Sequence, residues 1–404
     1  MGWNARPGEH HPPGIWARLT ALGAVAGTGL AVISGAAGWG TAHRLLAGVT
    51  LPPLVALVVL AWVSARRLLI SAITALFLLG LAALLTGPTV HLALASAALA
   101  ATAVLSFQVF RDGDVSFSAD DVRDYVTLTK PRVMSLLLLT GGAGAFVGAG
   151  GLPAAGIFAL TMIGLALACG GAAALNHYLD RDIDKLMGAR TSKRPVAAGR
   201  IAPGHALEFG IALSAASFVL LDSLVNLPTA LLALGGNLFY VFVYTQWLKR
   251  STSQNIVIGG AAGAVPPLVG AASATGHLGW AALVMFAVVF LWTPPHFWAL
   301  ALMIKEHYAN ANVPMLPVVR GDRETARQIV WYSVALVAGT LLPVAFGVFG
   351  LVYGVAALAL GALMLWLSVE LLRDTSRPKA VRVFHYSMLY LALLFVAMAV
   401  DVSV

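Results

Sequence analysis

Asn176, Asp180 and Asp184 stand four residues apart in ALNHYLDRDIDKLMGARTSKRP, a stretch that closes an apolar run long enough to cross a bilayer. On an α-helix, steps of four advance about 400°, so the three oxygen-bearing side chains share one face with a slow drift. Such a row can grip one hard cation. Mg²⁺ needs only one or two protein carboxylates when phosphate and water complete its shell. The cations that follow, Arg190, Lys193, Arg194 and Arg200, suit phosphate oxygens that the metal does not reach. The motif therefore reads as a catalytic and metal-binding row for a metal-bound polyphosphate. Asp182 falls about 200° from each neighbouring Asp, which directs it away from the row and toward a loop arginine such as Arg181 or Arg190. A solvated interfacial face would explain charges in an ordinary loop. It does not explain charges that begin at Asn176, still inside the apolar run, where each costs several kcal/mol unless solvated or paired.

Two further loops carry reactive side chains. In YTQWLKRSTSQNIVIGGAAGAVPPLVG, Lys249 and Arg250 are accounted for as membrane anchors, whereas the Asn255 amide enters an apolar span and needs a partner. Gly259, Gly260 and Gly263 permit close helix approach or leave room for a bulky ligand. In FLWTPPHFWALALMIKEHYANANVPMLPVVRGDRETAR, Pro294 and Pro295 are expected to break the span, with His296 at the break either as a packing residue or as a ligand contact. Glu306 and His307 could complete a second metal site opposite the first.

These motifs sit in a chain of 404 residues, 59% hydrophobic and 10% charged, with a mean hydropathy of +0.87. Apolar segments of about twenty residues recur along it, and in lipid these must be helices, because no water satisfies the backbone. Four spans are expected near 15–40, 45–64, 68–88 and 90–110, and nine more near 131–150, 154–178, 204–222, 226–247, 254–273, 278–301, 327–348, 350–371 and 383–402. With a cytoplasmic amino terminus, every Lys and Arg except Arg44 falls on the cytoplasmic side, and the carboxyl terminus lies outside. The polar stretch RDGDVSFSADDVRDYVTLTKPR, 111–132, separates a module at about 1–115 from one at about 120–404. The net charge of +8 is distributed among membrane loops, which argues against nucleic acid as a partner. Cys169 is a small buried hydrophobe, and His10 and His11 belong to a solvated tail. No cleavage site is evident, so the first span is expected to be retained.

Residues 125–404 closely resemble the heme branch of the UbiA family of intramembrane prenyltransferases. The strings that carry the likeness are LTKPRV at 128–133, NHYLDRDIDKLMGARTSKRP at 176–195, LKRSTSQNIVIGGAAGAVPPLVG at 248–270, WTPPHFWALA at 292–301 and VPMLPVV at 313–319. The resemblance implies an all-α, nine-helix bundle around a cavity open to the cytoplasm, in the cell membrane. It implies that Asn176, Asp180 and Asp184 bind Mg²⁺ and farnesyl diphosphate, and that a vinyl group of heme B is alkylated and hydrated to give heme O. Arg190, Lys193, Arg194, Lys249, Asn255, His296 and Tyr308 would line the substrates, and Lys130, Arg132 and Arg250 would orient the heme propionates. The branch usually carries Asp where this chain has His307, which leaves Glu306 or water to supply that oxygen. The first module resembles one four-helix half of heme A synthase through AHRLLAG at 42–48 and LLTGPTVHLALASAALA at 84–100. His43 and His91 would then be axial heme ligands, with Arg44 near a propionate; a scaffold with unliganded histidines is the alternative. Heme A synthase itself is an expected partner. Prenylation of an aromatic acid or quinone precursor would share the acidic row but has no use for WTPPHFW and VPMLPVV. A heme-transfer protein would have no use for the row.

Overall fold

A computed structural model describes residues 119–404 apart from Arg190 and the side chains of Ala119 and Asp121. The four expected amino-terminal spans, with His43 and His91, lie outside the described residues. The described chain is helical: α1 (Ala119–Leu128), α2 (Pro131–Ala149), α3 (Ala155–Leu179), α4 (Arg181–Leu186), α5 (Pro203–Leu224), α6 (Leu227–Leu238), α7 (Asn255–Gly263), α8 (Val265–Thr275), α9 (Trp280–Met303), α10 (Lys305–Asn310), α11 (Leu316–Ala345), α12 (Leu351–Arg373) and α13 (Arg377–Asp401). A π-helix, Phe239–Leu248, and a short turn, Lys249–Ser251, prolong α6. Among the described residues, nine helical segments are long and apolar enough to cross a membrane, at the places the apolar runs indicate. Proline opens α2, α5, α6, α8, α11 and α13 within the first turn, where its missing N–H costs nothing.

Without water to drive helices together in lipid, close backbone approach does much of the work. α2 lies against α8 so tightly that a Cβ on Gly270 would stand 1.8 Å from the Gly141 carbonyl, and one on Gly144 would stand 2.3 Å from that of Pro267. α3 meets α5 in the same way, and Ser217 Oγ donates to the Gly164 carbonyl across them at 2.6 Å. α9, α11, α12 and α13 form the second half, with a large apolar core that includes Met285, Ile329, Tyr353 and Phe395. α13 returns to α2 and closes the ring.

Two expectations need correction. Pro294 and Pro295 do not break their span; α9 runs through them to Met303. Thr293 Oγ1 bonds the Val289 carbonyl at 2.8 Å and Trp292 Nε1 bonds the Ser387 carbonyl at 2.7 Å, so the two residues before the prolines are tied down by their side chains. The seventh span begins at Leu316 rather than near 327, because Arg320–Arg327 form a helical approach hinged at Gly321, whose φ of 80° suits glycine.

Gly270→Ala is expected to destabilise the detergent-solubilised protein by about 1–3 kcal/mol in chemical denaturation, because the methyl group meets backbone that cannot yield. Gly263→Ala, with nothing within 4 Å of its Cβ, should leave stability unchanged or raise it slightly.

Candidate active site

The acidic row survives the end of α3. Asp180 leaves helical geometry slightly (φ −89°, ψ 5°), yet Asp180 N bonds the Asn176 carbonyl at 2.9 Å and Asp184 N bonds that of Asp180 at 2.8 Å. The four-residue step therefore continues into α4. All three side chains are buried, with Asn176 2%, Asp180 0% and Asp184 1% exposed.

Each member has a partner. Asn176 Nδ2 donates to Asp180 Oδ2 at 2.8 Å and to Thr245 Oγ1 at 3.2 Å. Lys249 Nζ donates to the same Asp180 oxygen at 2.5 Å, Lys130 Nζ to Asn176 Oδ1 at 2.5 Å, and Arg194 Nη1 to Asp184 Oδ1 at 2.6 Å. Three cations thus surround two carboxylates. Burial, and next the charge of Arg194, draw the Lys130 ammonium down to about 7, while burial raises the Asp184 carboxyl against the pull of Arg194. The cationic excess is what an incoming polyanion would relieve.

One oxygen of each Asp remains. Asp180 Oδ1 and Asp184 Oδ2 are buried without hydrogen-bond partners. Two unpaired carboxylate oxygens on one face fit Mg²⁺, which takes its other ligands from phosphate and water. The Asn176 side-chain oxygen, Oδ1, is engaged by Lys130, so in this arrangement Asn176 orients Asp180. Among the described residues, no three His, Cys, Asp or Glu side chains gather as a metal cluster. Glu306 and His307 are exposed on α10, with the His307 ring against Gly188, and the structure does not bring Glu306 to the row.

The far side of the row is the π-helix. Its backbone bonds close over one extra residue, a geometry found mostly at functional sites. It sets Thr245 on Asn176 and stacks Tyr240 on Tyr244 at 5.4 Å between ring centroids, and the turn that follows it sets Lys249 on Asp180. Asn237 Nδ2 adds a bond to the Ala168 carbonyl at 3.2 Å. These three links join residues separated by the same 69 positions, which is the mark of two parallel helices held in register. Thr245, Tyr240 and Tyr244 escaped the sequence reading; a threonine within an aromatic apolar run was the one signal present.

The remaining sites fall into two groups. Lys130 stands on the row, where a place beside a propionate was expected, and it holds a left-handed backbone (φ 51°, ψ 56°) that is strained for a non-glycine residue. Arg250 does not stand free either: it pairs with Asp182 through both guanidinium ends, at 2.7 and 2.8 Å, and donates to the Leu179 carbonyl. Asp182 thus faces away from the row as expected; of the two arginines expected to meet it, Arg190 lies outside the described residues and Arg181 is not its partner, and the bond from Arg250 holds its carboxyl down at about 2. Tyr308 is buried, and burial lifts its phenol to about 12. Asn255 is fully buried with neither amide atom partnered. His296 is stacked between Trp292 and Phe384, with centroids at 4.3 and 4.8 Å, and its Nδ1 meets Ser387 Oγ at 2.8 Å, which is the packing arrangement. Arg132 and Lys193 are exposed, and Arg190 lies outside the described residues. An apolar cavity of about 440 Å³ opens between α2 and α13 beside Phe146 and Val404, at the end of the bundle opposite the row, so it is not the chamber expected there.

Residues 137–395 match the model of the UbiA prenyltransferase family. Protoheme IX farnesyltransferase of Symbiobacterium thermophilum is 56% identical over 288 residues, 71% of this chain and 96% of that protein. The enzyme of the same name from a Roseiflexus species is 51% identical over 280 residues, 69% of this chain, but the match spans only 52% of that longer protein. Among solved structures, a UbiA homolog from Archaeoglobus fulgidus bound to GPP and Mg²⁺ superposes with a TM-score of 0.53 at 18% identity, over 68% of this chain and 99% of that one, a likeness of fold.

Lys249→Met should cost about 3–5 kcal/mol in unfolding measurements, because it strands a buried carboxylate. Arg250→Met, whose partner is largely exposed, should cost no more than about 1 kcal/mol.

Proposed function

The chain belongs to the UbiA prenyltransferase family, and we propose that its bundle transfers the farnesyl group of farnesyl diphosphate to a vinyl group of heme B, giving heme O after water adds. Curated relatives at 51–56% identity over about 70% of the chain carry this activity in their names, which supports the choice of both substrates. The observation that carries the chemistry is the pair of buried, unpartnered oxygens on Asp180 and Asp184 beside three cations. Bound there, Mg²⁺ would neutralise diphosphate charge and so favour loss of the leaving group.

The protein groups do the rest. Lys249, Lys130 and Arg194 turn from the row to the diphosphate oxygens as charge builds on them, and the allylic C–O bond breaks with its electron pair leaving on the diphosphate. The stacked Tyr240 and Tyr244 offer π-faces to the farnesyl cation, and the apolar helices keep water from it. The vinyl terminus then supplies the electrons of the new C–C bond. The positive charge moves to the carbon beside the porphyrin, water adds there, and a proton is released. Tyr308 on α10 and Asn255 on α7 are buried polar groups assigned here to the substrates, and both amide atoms of Asn255 are free to meet a polar ligand.

The protein is a multi-pass membrane protein. We place it in the cytoplasmic membrane with the row facing the cytoplasm, the amino terminus inside and the carboxyl terminus outside, on the one-sided distribution of Lys and Arg. The resemblance of residues 1–115 to half of heme A synthase supports a separate module there, with His43 and His91 able to hold heme, and makes heme A synthase a candidate partner.

Purified protein given heme B, farnesyl diphosphate and Mg²⁺ should yield a porphyrin of the mass of heme O, and Asp180→Asn should cut its formation at least about a hundredfold. Unchanged product with that variant would reject the row as the diphosphate site. A carboxyl-terminal alkaline phosphatase fusion should be active and a fluorescent protein fusion there dark; the reverse would overturn the orientation.

A further inference from the structure

His177 follows Asn176 directly, yet nothing in the chemistry above employs it. Its side chain is buried, 2% exposed, and neither Nδ1 nor Nε2 has a hydrogen-bond partner. A buried polar ring left without partners is unfavourable, and a ligand that supplies one removes the penalty. The helix fixes where the ring stands. With Asn176 at zero and about 100° per residue, Asp180 falls near 40°, Asp184 near 80° and His177 near 100°. The row therefore drifts toward the azimuth of His177; the backbone turns at Asp180, and the bonds of Asp180 N and Asp184 N continue the four-residue step past that turn.

The charges agree with this placement. Lys130, seated on Asn176, and Arg194, seated on Asp184, are the two cations whose fields reach the ring. Beside these two cations, a ring that carries no negative charge of its own suits an anion rather than a metal ion. An imidazole carries at least one N–H in either protonation state, so it can serve that anion as a donor. We infer that His177 donates a hydrogen bond to the diphosphate of the prenyl substrate, as a binding residue beyond the acidic row and its lysines and arginine. The inference rests on the proposed function, which puts the diphosphate at this face.

The test uses the full chain in detergent, with inorganic diphosphate and Mg²⁺ as the probe and calorimetry as the readout. His177→Phe keeps a planar ring without a donor, and His177→Asn restores an N–H. The Phe variant should raise the dissociation constant about tenfold or more, and the Asn variant should stay within about threefold of the unsubstituted protein. The ligand-free Phe variant should also melt at a higher temperature, since it no longer buries an unpaired polar group. Diphosphate affinity unchanged in the Phe variant, with or without a lower melting temperature, would overturn the inference and leave His177 as packing. Should the Phe variant not fold, His177→Leu, which also lacks a donor, takes its place, and unchanged affinity there would overturn the inference equally. Asp180→Asn separates this outcome from failure of the site itself: if that variant also binds diphosphate normally, the row is not the diphosphate site.

Discussion

A carboxylate sealed from water inside a membrane bundle is tolerable only with countercharge in contact, and Asp180 is such a group. Much of the end of the bundle that holds the row can be understood as the means of delivering that charge. Lys249 reaches Asp180 from the short turn that follows the π-helix, and Lys130 reaches Asn176 from a left-handed residue just before α2. Arg194 reaches Asp184 from the loop that follows α4. The π-helix and the left-handed Lys130 are locally unfavourable by the ordinary standards of helix geometry. Together they bring countercharge to two carboxylates while leaving one oxygen of each unclaimed.

The rest of the scaffold makes this arrangement precise enough to be useful. Glycine faces bring α2 onto α8 and α3 onto α5 at backbone distance, so the row stands on helices with little freedom to shift. On the other side, the proline pair of α9 is braced by Thr293 and by Trp292, and His296 is clamped between two aromatic rings. The string WTPPHFW, which looked chemical in the sequence, is largely structural at Trp292 and His296. The apparently ordinary anchor Lys249 is the residue that touches the row.

Much of the architecture was legible beforehand, for reasons that also explain the misses. Apolar length marks a span, so all nine segments fall near their expected places, and the spacing of Asn176, Asp180 and Asp184 survives because a four-residue step tolerates a small bend. The start of α11 was misplaced because Arg320, Arg323 and Arg327 read as a loop, although Lys305 pairs with Asp322 and Glu324 with Arg327 to support a helix there. The π-helix has no sequence signature, since its difference from an α-helix lies in which carbonyl each N–H selects. The destinations of Lys130, Lys249 and Arg250 were hidden for a related reason: a cation at a membrane edge always has an anchoring explanation, and only coordinates reveal an anion within reach.

The constant interval of 69 residues between Ala168 and Asn237, Asn176 and Thr245, and Asp180 and Lys249 has a mechanical meaning. Sliding either helix by a single residue would break all three links together, with no intermediate position in which some are kept. The two therefore behave as one stiff pillar. Whatever yields to admit a long prenyl chain and a flat macrocycle must be found among the walls around that pillar, not in the pillar itself.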